Sequence, residues 1–354
     1  MSARFLASLW VVGAVIAFAP LAAVPLAGQA PTSATKAKPT AAQKAWTPPR
    51  TADGQPDLQG VWANNNATPL ERPQALAGRT LLTDAEVAAL KAKAGELFSG
   101  DGDAGFGEDV FTAILAGAQK FSSSDAATGN YNQFWLADRD FDNRTSLITE
   151  PADGRIPPLT AEAQQRRAAL PVGRNQAASG PEDRSLSERC ITFGVPRLGA
   201  GYNSYYQIVQ NPEFVAIAME TIHDTRIIPL DGRPHVGRNI RQWHGNSVGH
   251  WEGATLVIDT TNYSPKSDFR GAHENLHVIE RLTRVSPTRI DYQITADDPT
   301  TWTRPWTAMI PLKLSDELIY EYACHERNDG LAGILAGART QEKTAAEAAK
   351  GELK

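Results

Sequence analysis

All seven histidines of the 354-residue chain lie between His223 and His325, and none precedes them. Imidazole is the side chain best suited to accepting and returning protons near neutral pH. In "IRQWHGNSVGHWEG", residues 240–253, Trp243-His244 and His250-Trp251 alternate with glycines. Further on, "LVIDTT" supplies Asp259, "ENLHVIERLTR" supplies His277 and Arg281, and "YEYACHE" supplies Glu321 and His325. These types make an acid–base set. His277 or His325 is the expected base or acid, and Glu321 or Asp259 the orienting or second carboxylate. Arg281 would balance developing negative charge.

Strand alternation sorts the candidates by face. If residues 318–326 form a strand, Glu321 and His325 share a face, though about 13 Å apart. In the 276–283 run, His277, Ile279, Arg281 and Thr283 share one face, and Leu276, Val278, Glu280 and Leu282 the other. Asp259 goes with Thr255, Val257 and Thr261. Ionisable groups inside a barrel are costly unless they pair or the lumen is wet. A polar lumen is what the acid–base reading requires; the competing reading makes these residues the solvated face of half-exposed strands. Trp243, Trp251, Tyr206, His244 and His250 would then rim the mouth, where aromatic rings stack a sugar or an aromatic ligand.

Other chemistries find less support. No H-x-H, H-E-x-x-H or paired C-x-x-C is present. His223 and His235 could meet across a hairpin in "HDTRIIPLDGRPH", with Asp224 or Asp231 nearby, but zinc takes three or four ligands. The expectation is no metal, with a His-ligated hydrolase as an alternative. "GNSVG" around Ser247 has the letters of a nucleophile elbow without the strand–turn–helix context. No P-loop or dinucleotide fingerprint occurs, so no cofactor is implied.

The elements that must position these residues begin after an export signal. Residues 1–30 have a cationic start at Arg4, an apolar run and small residues at the end, the layout of a secretory signal peptide. Residues 31–50 read as a disordered Ala/Pro/Thr/Lys linker, and 343–354 as a disordered tail. The rest reads as a single mixed, β-rich domain over 51–342. Removing Arg4 takes the formal charge from −5 to −6; nothing points to nucleic acid or an anionic membrane surface as partner. Two cysteines, Cys190 and Cys324, in an exported chain are expected to pair.

Within that domain, residues 51–200 read as a loop- and helix-rich half. A T-x-x-E capping box at Thr83 and Glu86 opens a helix, 110–121 suggests a second, and Thr160 caps a third. "YNQFW" and "RTSLITEP" read as strands. Residues 201–327 read as a meander of about seven antiparallel strands. They include hairpins turning at Asn211-Pro212 and Asp231-Gly232, a hairpin within "WHGNSVGHWEG" and a last strand over 318–326. The fold class expected is mainly β with helical additions, a β-barrel-like domain. Gly60-Val61-Trp62 resembles the G-x-W of a first lipocalin strand.

"SERC", "YQIVQNP", "HDTRIIPLDGRPH", "GHWEGATLVIDTTNY", "ENLHVIERLTR", "DPTTWTRPWTA" and "YEYACHE" resemble the motifs of a large family of exported bacterial proteins without an assigned activity. The resemblance spans most of residues 50–342 and implies one exported, mostly β domain. It brings no catalytic residues with it. From the residues, the chain is expected to be a periplasmic or secreted, metal-independent lyase, isomerase or hydrolase. Its substrate would be an aromatic or carbohydrate-like small molecule. The alternative is a lipocalin-like carrier that binds without turnover.

Overall fold

Ten short strands supply the framework. The computed structural model describes residues 46–99, 103–105, 107–122, 139–169, 177–201 and 203–352. The expected signal peptide, most of the expected linker and the "YNQFW" strand lie outside these residues. The strands are β1 (Gly60–Ala63), β2 (Ile148–Glu150), β3 (Tyr205–Gln210), β4 (Phe214–Met219), β5 (Thr225–Pro229), β6 (Asn246–Glu252), β7 (Thr255–Thr261), β8 (His277–Ser286), β9 (Arg289–Asp297) and β10 (Trp306–Ser315). The helices are α1 (Asp84–Leu97), α2 (Glu108–Leu115), α3 (Ala161–Ala169) and α4 (Asp329–Glu352).

Local rules account for much of this. Thr83 and Glu86 form the reciprocal capping box that starts α1, and the Thr160 hydroxyl accepts from Ala163 N–H at the start of α3. Alternating apolar residues put Val278 and Leu282 of β8, Ile290, Tyr292 and Ile294 of β9, and Ile310 and Leu312 of β10 in one core, each at most 3% exposed. Burying each such side chain favours the fold by about 1.5–3 kcal/mol. In β8 the apolar face carries Glu280 inward with it, and His277 and Arg281 face the other way.

The sheet is antiparallel throughout, in the order β5-β4-β3-β1-β10-β9-β8-β7-β6, with β2 pairing β10 beside this path. β5 and β6 are therefore its edges, and no hydrogen-bonded pair closes it. It nevertheless curls. The Arg226 guanidinium on β5 reaches across to Glu280 on β8, Nη1–Oε2 2.5 Å and Nη2–Oε1 2.7 Å. β5 also lies against β6, because a Cβ on Gly249 would come within 2.8 Å of Ile228. Only a residue without a side chain allows that approach.

β1 and β2 fall on the Gly60–Trp62 and "RTSLITEP" stretches read as strands, and β1 sits at the centre of the sheet between β3 and β10. Three expectations change. Residues 233–236 do not pair back on β5: Pro234 has no N–H to give, and Val236 N–H donates to Asn246 Oδ1 instead. "NSVGHWE" is one strand, β6, whose hairpin to β7 turns at Gly253 with φ 61°. Residues 318–326 form no strand but an irregular strap between β10 and α4. Leu318 and Tyr320, 70% and 63% exposed, have no sheet face to bury against, and both sides of β10 are already paired with β1 and β9. In addition, residues 343–352 continue α4 where a tail was expected.

Cys190 and Cys324 are joined by a disulfide across a sequence separation of 134. Among the described residues no helix is long and apolar enough to cross a membrane.

Candidate functional site

The concave face of the sheet is filled, not hollow. Leu256, Ile258, Val278 and Ile294 are 0% exposed there, and in the buried Arg226–Glu280 pair Glu280 Oε1 also accepts the Tyr292 hydroxyl. Burial alone would lower the Arg226 pKa, but the neighbouring carboxylate outweighs it and holds the group above its ordinary value. Tyr206, expected near a ligand, belongs to this core. It meets Tyr292 edge-on and donates its hydroxyl to Arg197 O, and burial pushes its pKa up to about 12.

Room for a ligand lies at the end of the sheet. A cavity of about 470 Å³ opens between the 182–195 segment and the 263–276 loop. Phe193, Trp243, Tyr263, Phe269 and Leu276 give it apolar and aromatic walls, and Thr192 and His273 also line it. The volume falls in the range of small-molecule sites, and the rings share the lining with charged residues, Glu182, Arg184, Arg189, Lys266 and Asp268. His273 Nδ1 contacts the backbone oxygen of Ser267 at 2.5 Å. A carbonyl only accepts, so Nδ1 carries the hydrogen and the neutral ring keeps Nε2 as a lone-pair acceptor. Ser267 is itself fixed, its hydroxyl donating to Trp243 O.

Behind the Thr192 wall stands a second histidine. His244 Nε2 lies 2.9 Å from Thr192 Oγ1 and 3.2 Å from Asp224 Oδ1. Thr192 donates its own proton to Asp224 Oδ2 at 2.6 Å and accepts from Gly194 N–H. Thr and Asp thus share one ring nitrogen, and the hydroxyl proton points at the carboxylate. A nucleophile relay needs the opposite, with base and orienting acid on different nitrogens. The cluster is a brace for the wall and not a Thr nucleophile. Ser247 is no nucleophile either: it is buried and hydrogen-bonded to Thr260 Oγ1.

His277 and Asp259 do meet, on the convex face. Asp259 Oδ1 is 3.0 Å from His277 Nε2 and 3.0 Å from His235 Nε2. His235 Nδ1 in turn lies 3.1 Å from Asn246 Oδ1. β7 and β8 are neighbours with Asp259 opposite Ile279, so His277 stands one side-chain step along the same face. Hydrogen bonding to His277 holds the Asp259 carboxyl below its ordinary value, against the opposing effect of burial. The same bond raises the His277 imidazole, with Asp297 adding to it.

The sign of the pH effect follows. A raised histidine stabilises the fold fully below 6.5, its ordinary value, and loses that contribution as pH rises through the folded value. A lowered carboxylate contributes above 3.8 and loses it as pH falls through its depressed value. The pair therefore supports the fold most between those two limits. Asp259→Asn should bring the His277 titration down toward 6.5, followed by NMR of the ring nitrogens; an unmoved midpoint would refute the coupling.

The other expected site residues are scattered. Arg281 Nη2 donates to Glu252 Oε2 at 2.7 Å, and His250 Nε2 contacts Glu252 Oε1, both on the convex face. Trp251 packs against the core. Trp243 alone of the expected ligand-binding set lines the cavity. Glu321 and His325 lie exposed on the strap, away from any shared strand face. Among the described residues no group of three or more His, Cys, Asp or Glu side chains could hold a metal ion. The expected set missed His273 and Thr192, and Asp224 and His235 entered it only as possible metal ligands. Ser267 and His273 flank "DFRGA", and only that Gly-containing turn signalled a loop there. No known family model, curated protein or solved structure matches this chain.

Proposed function

We propose that the chain is an exported small-molecule enzyme whose ligand sits in the cavity between residues 182–195 and 263–276. The carrying observation is His273, a cavity-lining imidazole whose Nδ1 is committed to Ser267 O, which leaves Nε2 to accept a proton. The aromatic walls suit a flat ring or a sugar face. In this reading His273 is the general base and acid of a metal-independent lyase, isomerase or hydrolase, and the reaction needs no protein nucleophile. The disulfide supports the export part of the proposal, since such bonds persist in oxidising compartments.

A barrel-like, lipocalin-like architecture is part of the same proposal. Its support is the curled sheet and Trp62, which is fully buried with the Arg284 guanidinium 5.3 Å over its ring. The carrier reading keeps the same cavity without the chemistry. It is favoured by the commitment of Thr192 to Asp224, which removes a cavity-lining hydroxyl beside an imidazole from nucleophilic use.

The test is a panel of aromatic and sugar compounds incubated with the protein, with products read by mass spectrometry. His273→Gln should lower kcat/KM on any substrate found by about 10²–10⁴-fold, the usual worth of a positioned acid–base group. Binding of that compound should persist. Full turnover in the variant would end the His273 assignment, and ligands recovered unchanged after long incubation would leave the carrier.

A further inference from the structure

The two walls of the cavity are held in different ways. The 263–276 loop is tied to the sheet and to the segment before β6. Gln242 N–H donates to Asn262 O, Ser264 N–H to Gln242 O, and Arg241 Nη1 to Glu274 O. The 185–190 wall bonds largely to itself, through Ser185 to Glu188, Arg189 N–H to Ser185 O and Cys190 N–H to Ser187 O. It has no strand or α-helix of its own. Thr192 and Phe193 beyond it are braced by Asp224, whereas the outward ties of residues 185–190 run to the irregular 316–328 strap. Cys190 is bonded to Cys324, Asn328 Nδ2 donates to Glu188 O at 2.8 Å, and Tyr322 meets Phe193 edge-on at 6.5 Å between centroids.

We propose that the Cys190–Cys324 bond is what fixes this wall, so that ligand binding is switched on by oxidation of that pair. The inference rests on reading the cavity as the ligand site. Oxidation joins the two sulfurs and releases two protons and two electrons from two thiols. An external disulfide takes both electrons and both protons, its S–S bond breaks, and it becomes two thiols. The oxidised strap then holds Glu188 and Cys190, and with them the cavity-lining Ser185, Ser187 and Arg189 on the same short segment. With free thiols the wall samples many positions, and ordering it is charged against every binding event. A chain that stays reduced until export would not bind ligand before it arrives. The sheet core shares none of these contacts, so the switch acts on the wall while the framework stands.

Titration with 1-anilinonaphthalene-8-sulfonate tests this, comparing oxidised protein, protein reduced with a phosphine, and the Cys190→Ser/Cys324→Ser double variant. Trp243→Ala in the oxidised protein identifies binding in the cavity by weakening it. Reduction and the double variant should each weaken that binding at least tenfold, with the β-sheet signal in circular dichroism retained. If Trp243-sensitive binding is unchanged on reduction, the cavity stands and the switch is wrong. If oxidised protein does not bind the dye, or binds it without regard to Trp243, the cavity reading falls and the switch falls with it. Should the reduced forms unfold, Asn328→Ala and Tyr322→Ala with the disulfide intact take their place. Together they should weaken binding severalfold, and unchanged affinity overturns the proposal.

Discussion

Glu280→Gln is expected to destabilise the protein by about 3–5 kcal/mol, the cost of leaving one member of a buried ion pair alone. Glu280 is 0% and Arg226 6% exposed on their side chains, so water cannot replace the lost carboxylate. The guanidinium makes two parallel bonds to Glu280, an arrangement the glutamine amide cannot accept on both atoms. Tyr292 also loses its charged acceptor. Replacing both partners together, Arg226→Met with Glu280→Leu, should be far milder, from neutral to a gain of about 1–4 kcal/mol, because no orphan charge remains. Urea unfolding of the single and double variants measures this. A double variant as unstable as the single one would show that the pair acts through packing and not through charge.

Loss of the disulfide is the second large effect. Cys190 and Cys324 close a loop with a sequence separation of 134, and the chain-entropy relation gives such a loop about 4–5 kcal/mol of stabilisation. The bond joins the wall before β3 to the strap after β10, so it restrains almost the whole span of the meander in the unfolded chain. Equilibrium unfolding of oxidised and Cys190→Ser/Cys324→Ser proteins should therefore show a large fall in midpoint, with a somewhat steeper dependence on denaturant because the chain without the cross-link exposes more surface when unfolded. A difference under about 1 kcal/mol would mean that the unfolded chain retains much of this loop's structure without the bond. This global loss is separate from the loss of ligand affinity, which is read under conditions where both forms are folded.

Particular residues show which kinds of information the sequence carries. The capping box of α1, the β3–β4 hairpin and the alternation in β8 follow from neighbours a few residues apart, and all are present. Alternation also grouped His277 with Arg281 and Glu280 with Val278. It left open which group faces the core. The apolar company of Glu280 decides that, and its charge is tolerated because Arg226 arrives from β5, three strands earlier in the chain. No local pattern announces such a partner.

The site was legible only in fragments for the same reason. Asp259 and His277 stand out by type, yet their third member, His235, comes from a segment whose letters suggest a hairpin. The cavity is built from 182–195, Trp243 and 263–276, three stretches with no periodicity, and His273 gains its defined tautomer from a backbone carbonyl that only the folded loop presents. Glu321 and His325 were grouped by a strand that does not form, because β10 had no free side for it. Sequence by itself determined the β-rich class, the helix caps, the strand faces and the availability of one disulfide, since these rest on short-range geometry and on residue type. Tertiary structure alone decided which face became the core, which edges stayed open and where the imidazoles met their partners, since those depend on long-range packing of segments that carry no local trace of one another.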